Sequence, residues 1–400
     1  MQTTKLATAR DPEDATGGLH RGVLLLLAGG DMYLFGTSVA FLGAILLPLM
    51  RTFHLDAGAA GDLFFVMHLG SLVACIAAGL ALDRLGTRPI LCVSLVLLGA
   101  GLWGLAAATS VSIIGVCVFV IGLAGGGLNT GAITLVSDAF RENRKSALNV
   151  LSIFFGCGAI VLSFAIGLVT RAWPLFLRCS AVIAWVWAIA GFLTRFPPVH
   201  EAHAFSAAVA LRTLRNPAVL LFAGLVLCQM GNEITVGGWT TPFLSTQLGA
   251  SAGAATLSLS LYWIAIVLGR LFAAILLRSH IGAAHLVAAS GAGAAFCTVV
   301  LLTTSRLVVG ALAVFCLGLC YAAMLPTTLA MAGDRFPRFT GTLFGTLFAV
   351  GVIGSMTFPS ATGHLAKMFN LRVGLTVPLA GAIAIVILEL LLIRKSAALA

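Results

Sequence analysis

The sequence predicts an all-α membrane protein, with twelve transmembrane helices arranged as two six-helix pseudo-repeats. Three observations carry that expectation. Apolar residues fill 60% of the 400 positions and charged residues only 9%, too few to cover a soluble chain of this size. Runs of about 18 or more apolar residues recur along the whole length, each long enough to cross a hydrocarbon core of about 30 Å as a helix. The second half also echoes the first at a constant offset of 196 residues, the mark of an internal repeat. Lipid offers backbone groups no partners, and no alternating barrel pattern is present, so the spans are helical.

Twelve spans follow in order: 22–49, 58–82, 89–108, 111–137, 146–170, 174–195, 217–246, 252–277, 283–303, 306–332, 340–365 and 376–393. The first and seventh are long enough to tilt or bend. The longest polar stretch between spans, 196–216, separates a six-helix bundle at 22–195 from another at 217–393, with tails at 1–21 and 394–400. At the offset of 196, Leu85-Gly86 matches Ile281-Gly282, Gly122 matches Gly318, and Asp138-Ala139-Phe140 matches Asp334-Arg335-Phe336. Gly158 likewise pairs with Gly354, and Gly167 with Gly363. Glycine is abundant, so each match is weak alone; one gapless offset through all of them is not.

Sixteen Lys and Arg residues fall in the tails and on one side of the spans, against six on the other. The positive-inside rule then places both termini in the cytoplasm of a cell whose inner membrane holds the chain. The net charge of +10 and pI near 9.6 have the same origin. The basic residues stand singly in short loops rather than in a stripe with aromatics, so no nucleic acid partner is expected. The segment 1–20 is polar and the first apolar run too long for a cleavable signal core. None of the nine cysteines forms a Cys-x-x-Cys, and neither disulfide frame, metal site nor cofactor is expected.

Ionisable groups at bilayer depth cost about 2.5–3.5 kcal/mol on insertion scales, so each needs an account. The richest stretch is Gln229-Met230-Gly231-Asn232-Glu233-Ile234-Thr235-Val236-Gly237-Gly238-Trp239. Helical spacing puts Gln229, Asn232 and Glu233 along one face, Gly237-Gly238 allows a bend, and Trp239 offers a flat surface on which a sugar ring could stack. One reading is a cavity wall whose carboxylate binds solute, takes up a proton, or does both. The other is a structural Glu233–Arg270 ion pair between the seventh and eighth helices. Asp31, in the first helix after Gly29-Gly30, is either functional or bonded to a neighbouring helix. His68, in the second helix, could relay protons, although donation to a backbone carbonyl is the commoner role. Glu389, near the end of the last helix with Arg394 close by, reads as snorkelling to the interface.

Between the second and third spans stands Gly79-Leu80-Ala81-Leu82-Asp83-Arg84-Leu85-Gly86-Thr87-Arg88-Pro89. Its pattern Gly-x-x-x-Asp-Arg-x-Gly-x-Arg resembles the signature loop of the major facilitator superfamily of transporters. The resemblance extends over essentially the whole chain. It implies that helices 1, 4, 7 and 10 line a central cavity, that 2, 5, 8 and 11 form its walls, and that 3, 6, 9 and 12 face lipid. It also implies a gate: Asp83 facing the start of helix 11 near Thr340-Gly341, with Arg84 and Arg88 paired to acids such as Asp138 or Glu142. Gly79 and Gly86 would permit close approach and a tight turn. A working monomer, a small-molecule substrate, the lipid bilayer and protons complete the implied partners.

Within that family, Gly125-Gly126-Gly127-Leu128-Asn129-Thr130-Gly131, Leu148-Asn149, Phe154-Phe155-Gly156-Cys157-Gly158 and Ile45-Leu46-Leu47-Pro48 look similar to fucose–proton symporters and related monosaccharide carriers. Asn129 and Ala44 stand where that group has acids, and neither titrates. The resemblance then implies that any proton coupling has moved to Glu233 or Asp31, or that the carrier needs no ion. Asn129 and Asn149 remain hydroxyl partners for a sugar, or interhelical glue.

Gly249-Ala250-Ser251-Ala252-Gly253 fits the Gly-x-Ser-x-Gly elbow of hydrolases, but joins two membrane helices without the required strand, and Ser251 reads as an N-cap. No enzyme is expected. The expectation is an alternating-access carrier of a small polar solute such as a monosaccharide, with Glu233 as the leading coupling or binding group. The alternatives are an exporter of amphipathic compounds, an intramembrane hydrolase and a non-transporting sensor.

Overall fold

The computed structural model describes residues 12–140, 143–196, 215–276, 282–336 and 340–397. Helices fill them: α1 (Pro12–Thr52), α2 (Ala57–Leu85), α3 (Thr87–Ala106), α4 (Val111–Ala139), α5 (Arg144–Leu168) and α6 (Trp173–Leu193). The order continues with α7 (Pro217–Leu248), α8 (Ala252–Leu276), α9 (Ala283–Thr303), α10 (Leu307–Arg335), α11 (Thr340–Met368) and α12 (Thr376–Ala397). A turn at Leu371–Gly374 leads into the last. No strand occurs among the described residues. All twelve predicted spans are present as helices long and apolar enough to cross a membrane. Twelve alternating helices put the start of α1 and the end of α12 at one end of the bundle, here called the terminal side, opposite the far side.

Local chemistry sets the ends. Asp56 accepts from the Ala59 N–H at 2.8 Å and starts α2, Asn216 caps α7, and Ser251 accepts from Ala254 N at 3.2 Å to start α8. Ser251 is therefore the N-cap that the sequence predicts. Gly86 ends α2 and begins α3 at φ 79°, a left-handed conformation that only glycine adopts without strain. α7 runs without a break through Gly237-Gly238, and both glycines are closely packed, Gly238 against Phe64 of α2.

Packing repeats as the sequence does. α2 packs on α4 and α1 on α5; six helices later, α8 packs on α10 and α7 on α11. The matched glycines make matched contacts. A side chain on Gly158 would strike the Tyr33 carbonyl of α1, and one on Gly354 the Leu227 carbonyl of α7. Gly122 lies against Met67 of α2, and Gly318 against Tyr262 of α8. Gly167 and Gly363 both reach across, to Leu257 of α8 and to Ala57 and Gly61 of α2. Without a hydrophobic driving force in lipid, such close approach supplies the dispersion contacts that hold helices together.

Burial separates the centre from the rim. The most apolar window of α1 is 78% buried and that of α7 is 61%, against 28% for α6 and α9 and 33% for α12. The last three are the least buried, at the rim where the resemblance puts lipid-facing helices. α3 does not stand apart, being 44% buried like α2 and α5.

Candidate functional site

The first six helices meet the last six through α2–α11, α5–α8 and α1–α7. At the centre of that seam lies a polar cluster carried by α7, α8 and α10. Gln229 Nε2 donates to Glu233 Oε2 at 2.9 Å and to the Tyr321 carbonyl at 3.1 Å. Tyr262 Oη donates to the backbone carbonyl of Glu233 at 3.0 Å. The i, i+4 spacing of Gln229 and Glu233 creates the first bond, and α8 brings Trp263, next to Tyr262, and Arg270, about two turns on, to the same region. An aromatic wall closes it from both halves. Phe35 of α1 and Phe155 of α5 have ring centroids 5.3 Å apart, and Phe155 meets Trp263 edge-on at 6.3 Å.

Arg270 does not pair with Glu233. Among the described residues the ion pairs are His364–Asp62 and Lys367–Asp56; the Arg270 guanidinium instead lies 5.8 Å from the Phe155 ring centroid. Gln229 Oε1, Arg270 Nε and Trp263 Nε1 are buried without a hydrogen-bond partner, which is costly in an apolar interior unless something completes them. Glu233, Arg270 and Phe35 keep partial exposure.

The remaining expected site residues divide. Asn232 does not share the Glu233 face. It turns to Gly381 of α12 and Phe358 of α11, because adjacent positions stand about 100° apart on a helix. Trp239 is fully buried and donates from Nε1 to the Pro359 carbonyl at 3.1 Å; it ties α7 to α11 and presents no stacking face. Asn129 is buried on α4. Asn149 is exposed on α5. Asp31 is buried beside Gly30, which packs on Trp187 of α6. His68 is buried with Nδ1 2.9 Å from the Phe64 carbonyl, the bond within its own helix that the sequence suggests. Glu389 does not snorkel: it is fully buried, and both carboxylate oxygens lack partners.

At the signature loop, Gly79 borders open space and Arg84 is exposed. Arg88 donates to the Phe192 carbonyl and lies 4.9 Å from that ring's centroid. It thus joins α3 to α6 rather than pairing with Asp138. The Asp83, Thr340 and Gly341 side chains and Glu142 lie outside the described residues. Besides the Phe155 contacts with Trp263 and Arg270, further contacts between halves lie toward the far side. Gly43 meets Gly237 backbone to backbone, and Gly238 takes the edge of Phe64. Asp62 accepts from Ser360 at 2.8 Å and faces His364 Nε2 at 2.9 Å, while Lys367 pairs with Asp56 at 3.0 Å. Sequence reasoning missed Phe35, Tyr262, Trp263 and Tyr321, and gave Phe155 no role beyond its place in a family-like stretch, since an aromatic in an apolar helix carries no mark of the side it faces.

Comparison with known proteins supplies the frame. The family model described as Major Facilitator Superfamily matches residues 26–305 and 221–399. The inner membrane transport protein YdiM of Escherichia coli (strain K12) is 23% identical over 345 residues, 83% of this chain and 84% of that protein. The nucleoside transporter NupG superposes with a TM-score of 0.76 at 14% identity, covering 94% of this chain and 98% of that one. The E. coli fucose:proton symporter FucP gives 0.63 at 19% identity, covering 91% and 97%. Twelve apolar helices, a duplicated packing pattern and a family match over nearly the whole length agree: the chain is a multi-pass membrane protein, a transporter and not an enzyme, and it belongs to the major facilitator superfamily.

Proposed function

We propose that this chain is an inner-membrane carrier, with both termini cytoplasmic, that moves a small polar solute by alternating access. The bundles 22–195 and 217–393 rock about a site at the bilayer midplane, joined by the linker 196–216, and one monomer is the working unit. The observation that carries the reading is the set of unfinished polar atoms around Glu233. Gln229 Oε1 accepts, while Arg270 Nε and Trp263 Nε1 donate, and none has a partner. A polyol offers both donors and acceptors at short spacing, and the Phe35–Phe155–Trp263 wall supplies an apolar face for its ring carbons. A monosaccharide has that chemistry. Glu233, partly exposed and free of an ion pair, serves as the binding and proton-coupling group. Asp31 and Asn129, buried in the first six helices, are secondary candidates.

The same aromatic wall favours a second reading, efflux of amphipathic compounds. Counterflow of labelled monosaccharides in proteoliposomes separates the two, because it needs no ion gradient. Exchange by the unaltered chain, with Glu233→Gln keeping exchange but losing pH-driven uptake, supports the sugar carrier and the role of Glu233. If no sugar exchanges, the monosaccharide reading fails and efflux takes its place.

A further inference from the structure

A groove between α3 and α6 lies on the outer surface, remote from the polar cluster. Cys92, Val96, Trp185, Ala188, Ile189 and Phe192 line about 420 Å³ of space. Val96, Ile189 and Phe192 are exposed, so the groove opens where lipid tails would lie. Its floor is fixed rather than incidental. Trp185 Nε1 donates to the Val96 carbonyl at 3.3 Å, and its ring stands against Gly99, where any side chain would collide with it. Trp103 packs on Trp185 at 5.7 Å, and Arg178 lies 5.7 Å from the Trp103 centroid to close the far end.

The other end is basic. Arg88 is held over Phe192 by one hydrogen bond and one ring contact, which leaves most of the five guanidinium donors unused. Arg84, in the last turn of α2, and Arg195, just past α6, are exposed at the same end. None of the three forms an ion pair among the described residues. From Trp185 to Phe192 the groove rises about 10 Å, which keeps it within one leaflet of a core about 30 Å thick.

We propose that this groove binds one anionic phospholipid, with an acyl chain along Trp185, Ile189 and Val96 and the phosphate at Arg88, Arg84 and Arg195. Zwitterionic lipids carry their own cation at the headgroup and leave the arginines unneutralised. Anionic lipid gains about fivefold in binding for each nearby Lys or Arg. The bound lipid clamps α3 to α6 at the end where Arg88 already joins them.

Trp185 makes the test direct. The full chain in detergent is titrated with phosphatidylglycerol or phosphatidylcholine carrying brominated acyl chains, and tryptophan quenching is followed. Quenching saturates at lower phosphatidylglycerol than phosphatidylcholine, and the part that saturates is lost in Trp185→Phe. The variant Arg84→Gln/Arg195→Gln, which leaves the Arg88–Phe192 link in place, reduces the preference by about fivefold per arginine. Val96→Phe, at an exposed position, fills the groove and abolishes saturable quenching by either lipid. Equal affinity for the two lipids, or a preference unchanged in the double variant, overturns the proposal. So does displacement of the brominated lipid by glycerol phosphate alone, which would assign the arginines to a soluble phosphate.

Discussion

One turn of α7 separates Gln229 from Glu233, and a single amide nitrogen of Gln229 holds both the carboxylate, at 2.9 Å, and the Tyr321 carbonyl of α10, at 3.1 Å. The acid is thereby placed by a helix other than its own. Replacing Gln229 with leucine leaves the Tyr321 carbonyl and the Glu233 carboxylate each short of a donor. The expected loss is about 1–3 kcal/mol of stability, read as a lowered unfolding midpoint in detergent. Solute affinity should fall with it, and Gln229→Glu should not restore either.

Trp239 separates a strut from a platform. Its Nε1 bond to the Pro359 carbonyl is worth about 1 kcal/mol, and its ring is closed to solvent. Trp239→Phe should lower the unfolding midpoint while leaving the solute concentration for half-maximal counterflow unchanged. A large rise in that concentration would return Trp239 to the binding surface.

The matched glycines predict matched penalties. Gly158→Ala and Gly354→Ala each push a methyl into a carbonyl of the neighbouring helix, Tyr33 in one case and Leu227 in the other. Each should cost about 1–3 kcal/mol, and the two midpoints should fall by similar amounts. Gly79→Ala, which meets open space, should fold as the unaltered chain does.

Asp56 gives the far side a dependence on pH. Its carboxyl is held below the ordinary value of 3.8 by the Ala59 N–H first and by Lys367 second. A carboxyl lowered in the native state contributes stability that is fully present above its unfolded value and is lost as pH falls through the folded one. The difference in unfolding midpoint between the unaltered chain and Asp56→Asn should therefore be constant above about pH 5 and vanish at pH values under 3.8. It should also be small and shrink with added salt, since the pair is half exposed.

The fold was legible because hydropathy and a gapless repeat report on length and symmetry, which lipid enforces. Glu233 was legible for a related reason, as an acid in an apolar run demands an explanation. What could not be read was direction. Asn232 and Glu233 are neighbours in sequence, yet one side chain turns to α12 and the other meets Gln229 one turn back on α7. Phe155 and Trp263 look like any lipid-facing aromatics until α5 and α8 are packed together. Arg88 was expected to meet an acid, but the nearest acceptor is a main-chain carbonyl at the end of α6, which no side-chain pattern announces. Glu389 looked close enough to the interface to reach it, but tertiary packing closes over it.

The meeting of Gly43 with Gly237 has a kinetic meaning. Two main chains close that line without side chains between them, so no rotamer freedom is surrendered when the halves come together. Along that line, no side chains need to disengage for the two main chains to part. A seam of this kind tolerates no added methyl, and for the rocking proposed above it adds no side-chain unlocking step.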